Sequence, residues 1–125
     1  MFVAEYQNDV AGHAVLYPEA QNGPFADMSI PEISDFVVFI KYQCRGIGNL
    51  ILDAVEKKAS ELGDKVSLGV GVHYGYGSAH RLYIKRGYIP DGTGVWYNNA
   101  RLEQYAECKN DDDLLLFLCK QLHSK

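Results

Sequence analysis

The feature that most constrains this chain is a glycine turn that leads directly into an amphipathic helix, in the stretch YQCRGIGNLILDAVEKKA of residues 42–59. Apolar residues recur at helical spacing from Ile47 to Leu62, and Gly63 is placed to end the helix. The stretch Ser34–Lys41 before the turn is dense in β-branched and aromatic residues, which predicts a strand. Any fold for this chain must therefore accommodate a strand, a tight turn and a helix in immediate succession.

The size and composition of the chain limit how much structure can surround that unit. Its 125 residues, of which 47% are hydrophobic, suffice for one modest core, so a single domain is expected over residues 1–125. The three cysteines are widely spaced and form neither a metal knuckle nor an even disulfide framework, which favours the reducing cytoplasm. No apolar run approaches the roughly 20 residues that span a bilayer, so no membrane association is expected.

The charge distribution points to a small anionic ligand. The net charge of −4 argues against a general nucleic-acid binder, because such proteins present clustered basic faces. Basic residues nevertheless gather beside the glycine turn and about forty residues later: Lys41, Arg45, Arg81, Lys85 and Arg86. A basic spot on an acidic chain suggests one discrete anionic ligand.

The order of the remaining predicted elements defines a fold class. In chain order they are Phe2–Tyr6, His13–Tyr17, Lys65–Val72, Ala79–Arg86, Val95–Tyr97 and Leu114–Lys120. Ser78 is expected to cap the short helix, and Gly69 and Gly71 suggest a bulge or a close backbone approach in their strand. The order β-β-β-α-β-α-β-β predicts an α/β (α+β) fold. Its mixed, mostly antiparallel sheet contains a parallel central pair across the first helix and is flanked by helices.

The glycine turn has the chemistry of an anion site. The first amides of a helix lack internal partners, and the helix dipole places partial positive charge there. Gly46 and Gly48 carry no Cβ, so the chain can turn sharply and a phosphate can approach the amides of residues 45–49. Arg45 and Lys41 would add charged contacts at the rim. The turn therefore predicts a phosphate-binding loop.

Two common phosphate motifs do not fit these letters. A mononucleotide P-loop needs Lys followed by Ser or Thr after its last glycine, whereas Gly48 is followed by Asn49 and Leu50. A dinucleotide fingerprint needs a glycine where Ile51 stands. The loop therefore belongs to neither class.

Two motifs together resemble the GNAT superfamily of N-acetyltransferases. Residues 43–48, QCRGIG, match the pyrophosphate-loop pattern Q/R-x-x-G-x-G/A. Residues 79–88, AHRLYIKRGY, match the second motif A-x-x-L-Y-x-K-x-G-F/Y at its six fixed positions. The resemblance is firm over residues 34–97 and implies a GNAT-like acyl-CoA acyltransferase fold. One departure is Tyr76, which stands where many members carry an asparagine that hydrogen-bonds pantetheine.

The resemblance implies direct transfer of an acetyl group from acetyl-CoA to a primary amine. Tyr83 matches the general acid that protonates the thiolate leaving group. The pantetheine is expected to pair with backbone in a splay between the two central strands, which a bulge at Gly69 and Gly71 would open. The residues expected to bind the cofactor are Val38, Phe39, Ile40, Gln43, Cys44, Arg45, Gly46, Ile47, Gly48, Asn49, Tyr76, Ala79, Leu82 and Arg86.

The base that deprotonates the acceptor is left open by the sequence. In histone-acetylating relatives, a glutamate eleven residues before the first motif serves as this base. The corresponding residue here is Glu32. Asp35 and ordered water are alternatives. His73 and His80 do not form a metal-like i, i+4 pair, and no metal site is predicted.

The acceptor and the assembly state also stay open. An acidic chain favours cationic amines such as polyamines, aminoglycosides or lysine side chains. A catalytically impaired acyl-CoA-binding or assembly module of the same fold is the alternative function. GNAT domains usually begin with a strand and one or two helices ahead of the hairpin that opens here at Phe2. An apolar face is therefore expected to need cover, either because the chain is a fragment of a longer protein or because it forms a homodimer.

Overall fold

The computed structural model describes residues 1–43 and 45–123, and the side chain of Ile40 is not among the described groups. Cys44, which is predicted to lie in the phosphate loop, therefore falls outside the described residues. The strands and helices, in chain order, are β1 (Phe2–Tyr6), β2 (Asp9–Tyr17), β3 (Glu32–Val38), α1 (Ile47–Leu62), β4 (Lys65–Gly71), α2 (Gly77–Lys85), β5 (Ile89–Tyr97), β6 (Ala100–Arg101) and β7 (Leu114–Gln121).

Within the described residues, the strands form one seven-stranded sheet in the order β1-β2-β3-β4-β7-β5-β6. The neighbours β3 and β4 are parallel and are connected through α1, while the other neighbouring pairs are antiparallel. This arrangement confirms the predicted mixed fold with its parallel central pair.

The parallel pair separates soon after it begins. Strands β3 and β4 are paired at two positions only, Glu32 with Ser67 and Ile33 with Leu68. Both strands continue beyond this point, β3 to Val38 and β4 to Gly71. The central strands therefore splay apart as they run toward the N-terminal ends of the two helices.

The irregularity beside the splay lies in β3, so the bulge predicted in β4 is wrong. The register between β2 and β3 shifts after His13, and Asp35 has a left-handed φ of 51°. By contrast, β4 pairs with β7 without interruption from Lys65 to Gly71. The β4 glycines instead permit close approach, because a Cβ on Gly69 would lie 2.8 Å from the Phe117 ring.

The main core lies between the helices and one face of the sheet. Its fully buried members include Leu52 and Val55 of α1, Leu68 of β4, Leu118 of β7 and Tyr88. A second cluster lies on the opposite face, where the loop between β2 and β3 places Ala20 and Phe25 against Phe117. The two faces of the sheet are therefore covered differently, one by helices and one by a loop.

Some boundaries differ from those expected. Strand β2 begins at Asp9 rather than His13, because Gln7 and Asn8 both adopt positive φ and close a two-residue hairpin turn. Helix α2 begins at Gly77, and the predicted Ser78 cap is wrong because no side-chain bond caps this helix. In the part of the chain that the structure describes, no helix is both long and apolar enough to cross a membrane.

Candidate functional site

The turn before α1 has the geometry of an anion site. Gly46 is the residue before the helix and has a left-handed φ of 77°, while a Cβ there would meet no atom of the described residues within 4 Å. The first helical hydrogen bond runs from the amide of Leu50 to the carbonyl of Gly46, 3.1 Å away. The helix therefore supplies no acceptor to the amides of residues 47–49, which include the predicted Ile47, Gly48 and Asn49.

Gly48 serves packing rather than access by a ligand. A Cβ at this position would lie 3.0 Å from Cδ2 of Leu82 in α2 and 3.4 Å from Cζ of Phe36 in β3. The missing side chain lets α1 approach both elements closely. Of the two glycines, only Gly46 therefore has open space beside it among the described atoms, and phosphate binding at the turn stays a prediction. Leu82 and Ala79 are partly buried and pack on the main core.

The residues around the turn hold it against neighbouring strands. Arg45 donates from Nη1 to the Tyr6 hydroxyl over 3.2 Å, and its guanidinium lies 5.1 Å from that ring centre. Gln43 donates from Nε2 to the carbonyl of Val38 over 3.0 Å, and the amide of Phe39 donates to Ala11 over 2.9 Å. Two of the backbone groups predicted to line the pantetheine site therefore have partners within the protein.

Arg86 lies in an ion-pair network rather than facing open solvent. Its Nε and Nη2 donate to the two carboxylate oxygens of Glu56 over 3.1 and 2.9 Å. Nη2 also contacts Asp53 at 2.8 Å, and Nη1 donates to Oδ1 of Asn49 over 2.9 Å. These contacts connect the end of α2 to the first three turns of α1, which is a structural role that the sequence did not predict.

Tyr83 lies beneath the splay on the helix-covered face. Its side chain is only 6% exposed, and its ring centre is 5.8 Å from Phe36 and 5.7 Å from Tyr88. Burial raises the pKa of Tyr83 well above its ordinary value. The phenol is therefore neutral at physiological pH and retains a proton that it can donate.

Glu32 lies on the opposite face of the sheet from Tyr83. It alternates along β3 with Ile33, whose side chain is in the helix-covered core. Its Oε2 accepts a hydrogen bond from the amide of Gln21 over 3.0 Å. Burial raises the pKa of Glu32 and outweighs the opposing effect of that hydrogen bond. The structure therefore does not bring Glu32 and Tyr83 together, and the rival Asp35 is exposed at the bulge.

Tyr76 forms a cluster that sequence reasoning missed. Its hydroxyl donates to Oδ1 of Asp112 over 2.7 Å, which raises the pKa of Tyr76 to about 12. Nδ1 of His73 accepts from the amide of Gly75, so Nε2 carries the proton of the neutral ring and faces the same Asp112 oxygen at 3.3 Å. Asp112 is far away along the chain, and no local pattern signals the contact. Over residues 1–43 and 45–123, no group of three metal-ligating side chains is placed to hold an ion.

Comparisons with known proteins agree with this geometry. The family model described as Acetyltransferase (GNAT) family matches residues 1–88. No curated protein sequence gives a significant match. A GNAT acetyltransferase structure from Elizabethkingia anophelis with acetyl-CoA bound has 26% identity and a TM-score of 0.67. The match covers 95% of this chain and 73% of the Elizabethkingia chain.

Two further structures share the fold at lower identity. One from Pyrococcus horikoshii has 22% identity and a TM-score of 0.68, with 95% of this chain and 62% of its own covered. The structure of yncA from Salmonella typhimurium, described as containing its cofactor acetyl-CoA, has 19% identity and a TM-score of 0.68. The match covers 98% of this chain and 64% of yncA. This chain thus spans 62% of the Pyrococcus protein's length. On the family match over residues 1–88, the chain belongs to the GNAT acetyltransferase family.

Proposed function

We propose that this chain transfers an acetyl group from acetyl-CoA to a primary amine by direct attack. The observation that carries the proposal is the splay between β3 and β4, which leads to the Gly46 turn and has Tyr83 beneath it. The acetyl-CoA named in two related structures supports the same co-substrate here. Family membership supports acyl transfer in general, and the amine acceptor is our inference.

The cofactor would bind along the splay with its diphosphate at the helix. The amides of residues 47–49 offer donors to the diphosphate, and Arg45 can leave the partly buried ring of Tyr6 to add charge. The pantetheine would follow the backbone of residues 38–40. Gln43 would then give up its bond to the Val38 carbonyl, which exchanges one hydrogen bond for another.

The reaction needs three proton transfers. The amine nitrogen, freed of its extra proton, attacks the thioester carbonyl and forms a C–N bond. Collapse of the tetrahedral intermediate breaks the C–S bond, Tyr83 gives its proton to the departing sulfur, and the proton that the new amide nitrogen loses restores the Tyr83 phenol. The raised pKa of Glu32 suits it to accept the ammonium proton. Because Glu32 lies on the other sheet face, we place ordered water between it and the amine, with Asp35 or water alone as alternatives.

Release of free CoA tests this function. A thiol reagent is used to follow CoA formation from acetyl-CoA across a panel of primary amines, with each amine omitted in turn as the blank. Amine-dependent release of CoA together with a mass gain of one acetyl group on the amine is expected. Tight acetyl-CoA binding, seen as a thermal shift, without turnover on any amine would instead favour the binding module. The separation of Glu32 and Tyr83 on opposite faces of the sheet is the observation in its favour.

We also propose cytoplasmic location and self-association. Cys108 and Cys119 are free thiols, which suits a reducing compartment. On the sheet face opposite α1, Val3 is 52% and Val37 is 37% exposed, and a second copy would cover them. Light scattering coupled to size-exclusion chromatography measures the mass directly. A monomer at all concentrations up to the solubility limit would contradict the homodimer.

A further inference from the structure

A cavity of about 220 Å³ opens on the sheet face opposite α1. Its floor is apolar and consists of Trp96, Leu115 and Phe117, which belong to the second hydrophobic cluster. Its rim is polar and consists of three carboxamides and one carboxylate: Asn22, Asn98, Asn99 and Asp113. An apolar floor with a few convergent polar groups is the usual composition of a small-molecule site.

The floor of this cavity is held in place by specific contacts. The indole N–H of Trp96 donates to Oγ1 of Thr93 over 2.8 Å, and its ring meets Phe117 edge-on at 5.7 Å. The walls are also joined, because Oδ1 of Asn99 accepts from the amide of Gly23 over 2.8 Å. The loop between β2 and β3 is thereby fastened to the turn after β5.

The cavity lies beside the proposed reaction site. Leu115 pairs with Gly71 at the end of β4 and with Trp96 of β5, so the floor is level with the splayed end of β4. A Cβ on Gly71 would collide with the ring of Tyr76. The Tyr76 hydroxyl is bonded to Asp112, the residue before the rim carboxylate. A ligand in the cavity would therefore be separated from the splay only by the end of β4.

The rim of the cavity at Asn22 is connected to Glu32, the proposed base. Asn22 on the rim follows Gln21, whose amide donates to Oε2 of Glu32 over 3.0 Å. The cavity therefore lies between the splayed end of β4 and the carboxylate that is proposed to remove the acceptor proton. An acceptor amine is the ligand that the reaction requires at this position, so this inference rests on the proposed function.

The lining selects among amines. Among the described residues that line the cavity, Asp113 is the one charged residue and none is basic. An ammonium group would be paired with Asp113 and could also lie over the indole ring of Trp96. A substrate carboxylate would meet a like charge with no basic partner. The volume is below that of most drug-sized sites, which limits the ligand to a compact molecule.

We propose that the acceptor is a compact primary amine that carries no carboxylate, bound with its ammonium group at Asp113 and its apolar body on Trp96. The matched probes are pairs of an amine and its parent amino acid. The two members of a pair differ only in the carboxylate, which the amine lacks. Phenethylamine is compared with phenylalanine, and agmatine with arginine. The amine of each pair is expected to bind at least about tenfold more tightly than the amino acid, the size of effect that one charged hydrogen-bonded contact produces.

The binding test uses the fluorescence of Trp96, which is the single tryptophan of the chain and lies in the floor of the cavity. Each probe is titrated against the full chain, with and without saturating CoA, so that binding is measured independently of turnover. Asp113→Asn should weaken phenethylamine binding about tenfold. Glu103→Gln makes the same charge change at an exposed residue that does not line the cavity and should leave binding unchanged.

The outcomes separate this inference from the proposed function. Preference for the amines, lost in Asp113→Asn and kept in Glu103→Gln, supports the cavity as the amine site. Equal binding of amine and amino acid, an unaffected Asp113→Asn variant, or no fluorescence response to any probe overturns it. If the amines bind at Trp96 but no CoA is released, the amine site stands and acetyl transfer is refuted.

Discussion

Replacement of Glu56 should test how the two helices of the cofactor region are held together. The Glu56 side chain accepts bonds from Arg86 at 2.9 and 3.1 Å, from the Tyr88 hydroxyl at 2.9 Å and from Lys120 at 2.7 Å. The residue is only 9% exposed. Glu56→Gln keeps the shape of the side chain but removes its charge and directs an amide N–H toward donors.

The expected cost is about 3 kcal/mol of unfolding free energy. Removal of one partner from a buried ion pair costs about 3–5 kcal/mol, because the remaining charge is left without compensation. Arg86 retains Asp53 at 2.8 Å, which places the estimate at the lower end of that range. Urea unfolding at neutral pH measures the difference directly, and the melting temperature should fall by about 10 °C.

A matched control and the pH dependence make this prediction refutable. Asp53→Asn removes the other, 65% exposed partner of Arg86 and should cost less than about 1 kcal/mol. Burial by itself would raise the pKa of Glu56, but its bonds to Arg86, Lys120 and Tyr88 outweigh burial and lower it. The stabilisation is thus present above the unfolded-state pKa of about 4.3 and is lost as pH falls through the folded-state value. A Glu56→Gln variant within 1 kcal/mol of the parent, with an unchanged acid transition, would refute the reasoning.

Other substitutions test the site and its supports. Gly46→Val should weaken acetyl-CoA binding measured by calorimetry, because its φ of 77° strains any other residue at the helix start. Gly48→Ala should instead act mainly on thermal stability, and a variant as stable as the parent would contradict the packing role. Tyr83→Phe should lower turnover about 10²-fold at nearly constant cofactor affinity. Unchanged turnover, measured where the chemical step is rate-limiting, would remove Tyr83 from the mechanism. Gly69→Ala should cost about 1–3 kcal/mol by collision with a β7 ring. Gly77→Ala, with φ −57° and open space, should stabilise by about 0.4–1 kcal/mol in the same melts.

Local sequence patterns predicted most of the fold. The apolar stripe of α1 and the run of β-branched residues in β3 are encoded over neighbouring positions, and both elements are present. Strand β3 runs over Glu32–Val38 rather than the predicted Ser34–Lys41, because the chain turns at Ile40–Tyr42. The order of elements then predicted the parallel central pair. The family motifs predicted the glycine turn and the position of Tyr83 on the second helix.

The contacts that complete the site could not be predicted in this way. Tyr76 meets Asp112 across 36 positions of the chain, and Glu56 meets Lys120 across 64. Such pairs depend on which strands become neighbours, and no local periodicity records that. The bulge was expected at glycines, whereas Asp35 adopts the left-handed conformation instead. Strand pairing overrode residue preference there.

The place of β7 in the sheet has a consequence for how this chain folds. It is the last strand among the described residues, yet it pairs with β4 on one side and β5 on the other. While residues 114–121 are still inside the ribosome, β4 has an open edge and β5 is paired only with the two-residue strand β6. Such an edge is a template for pairing with other chains. We therefore expect completion of the sheet to wait for β7, and folding to be slowed by pairing between distant segments.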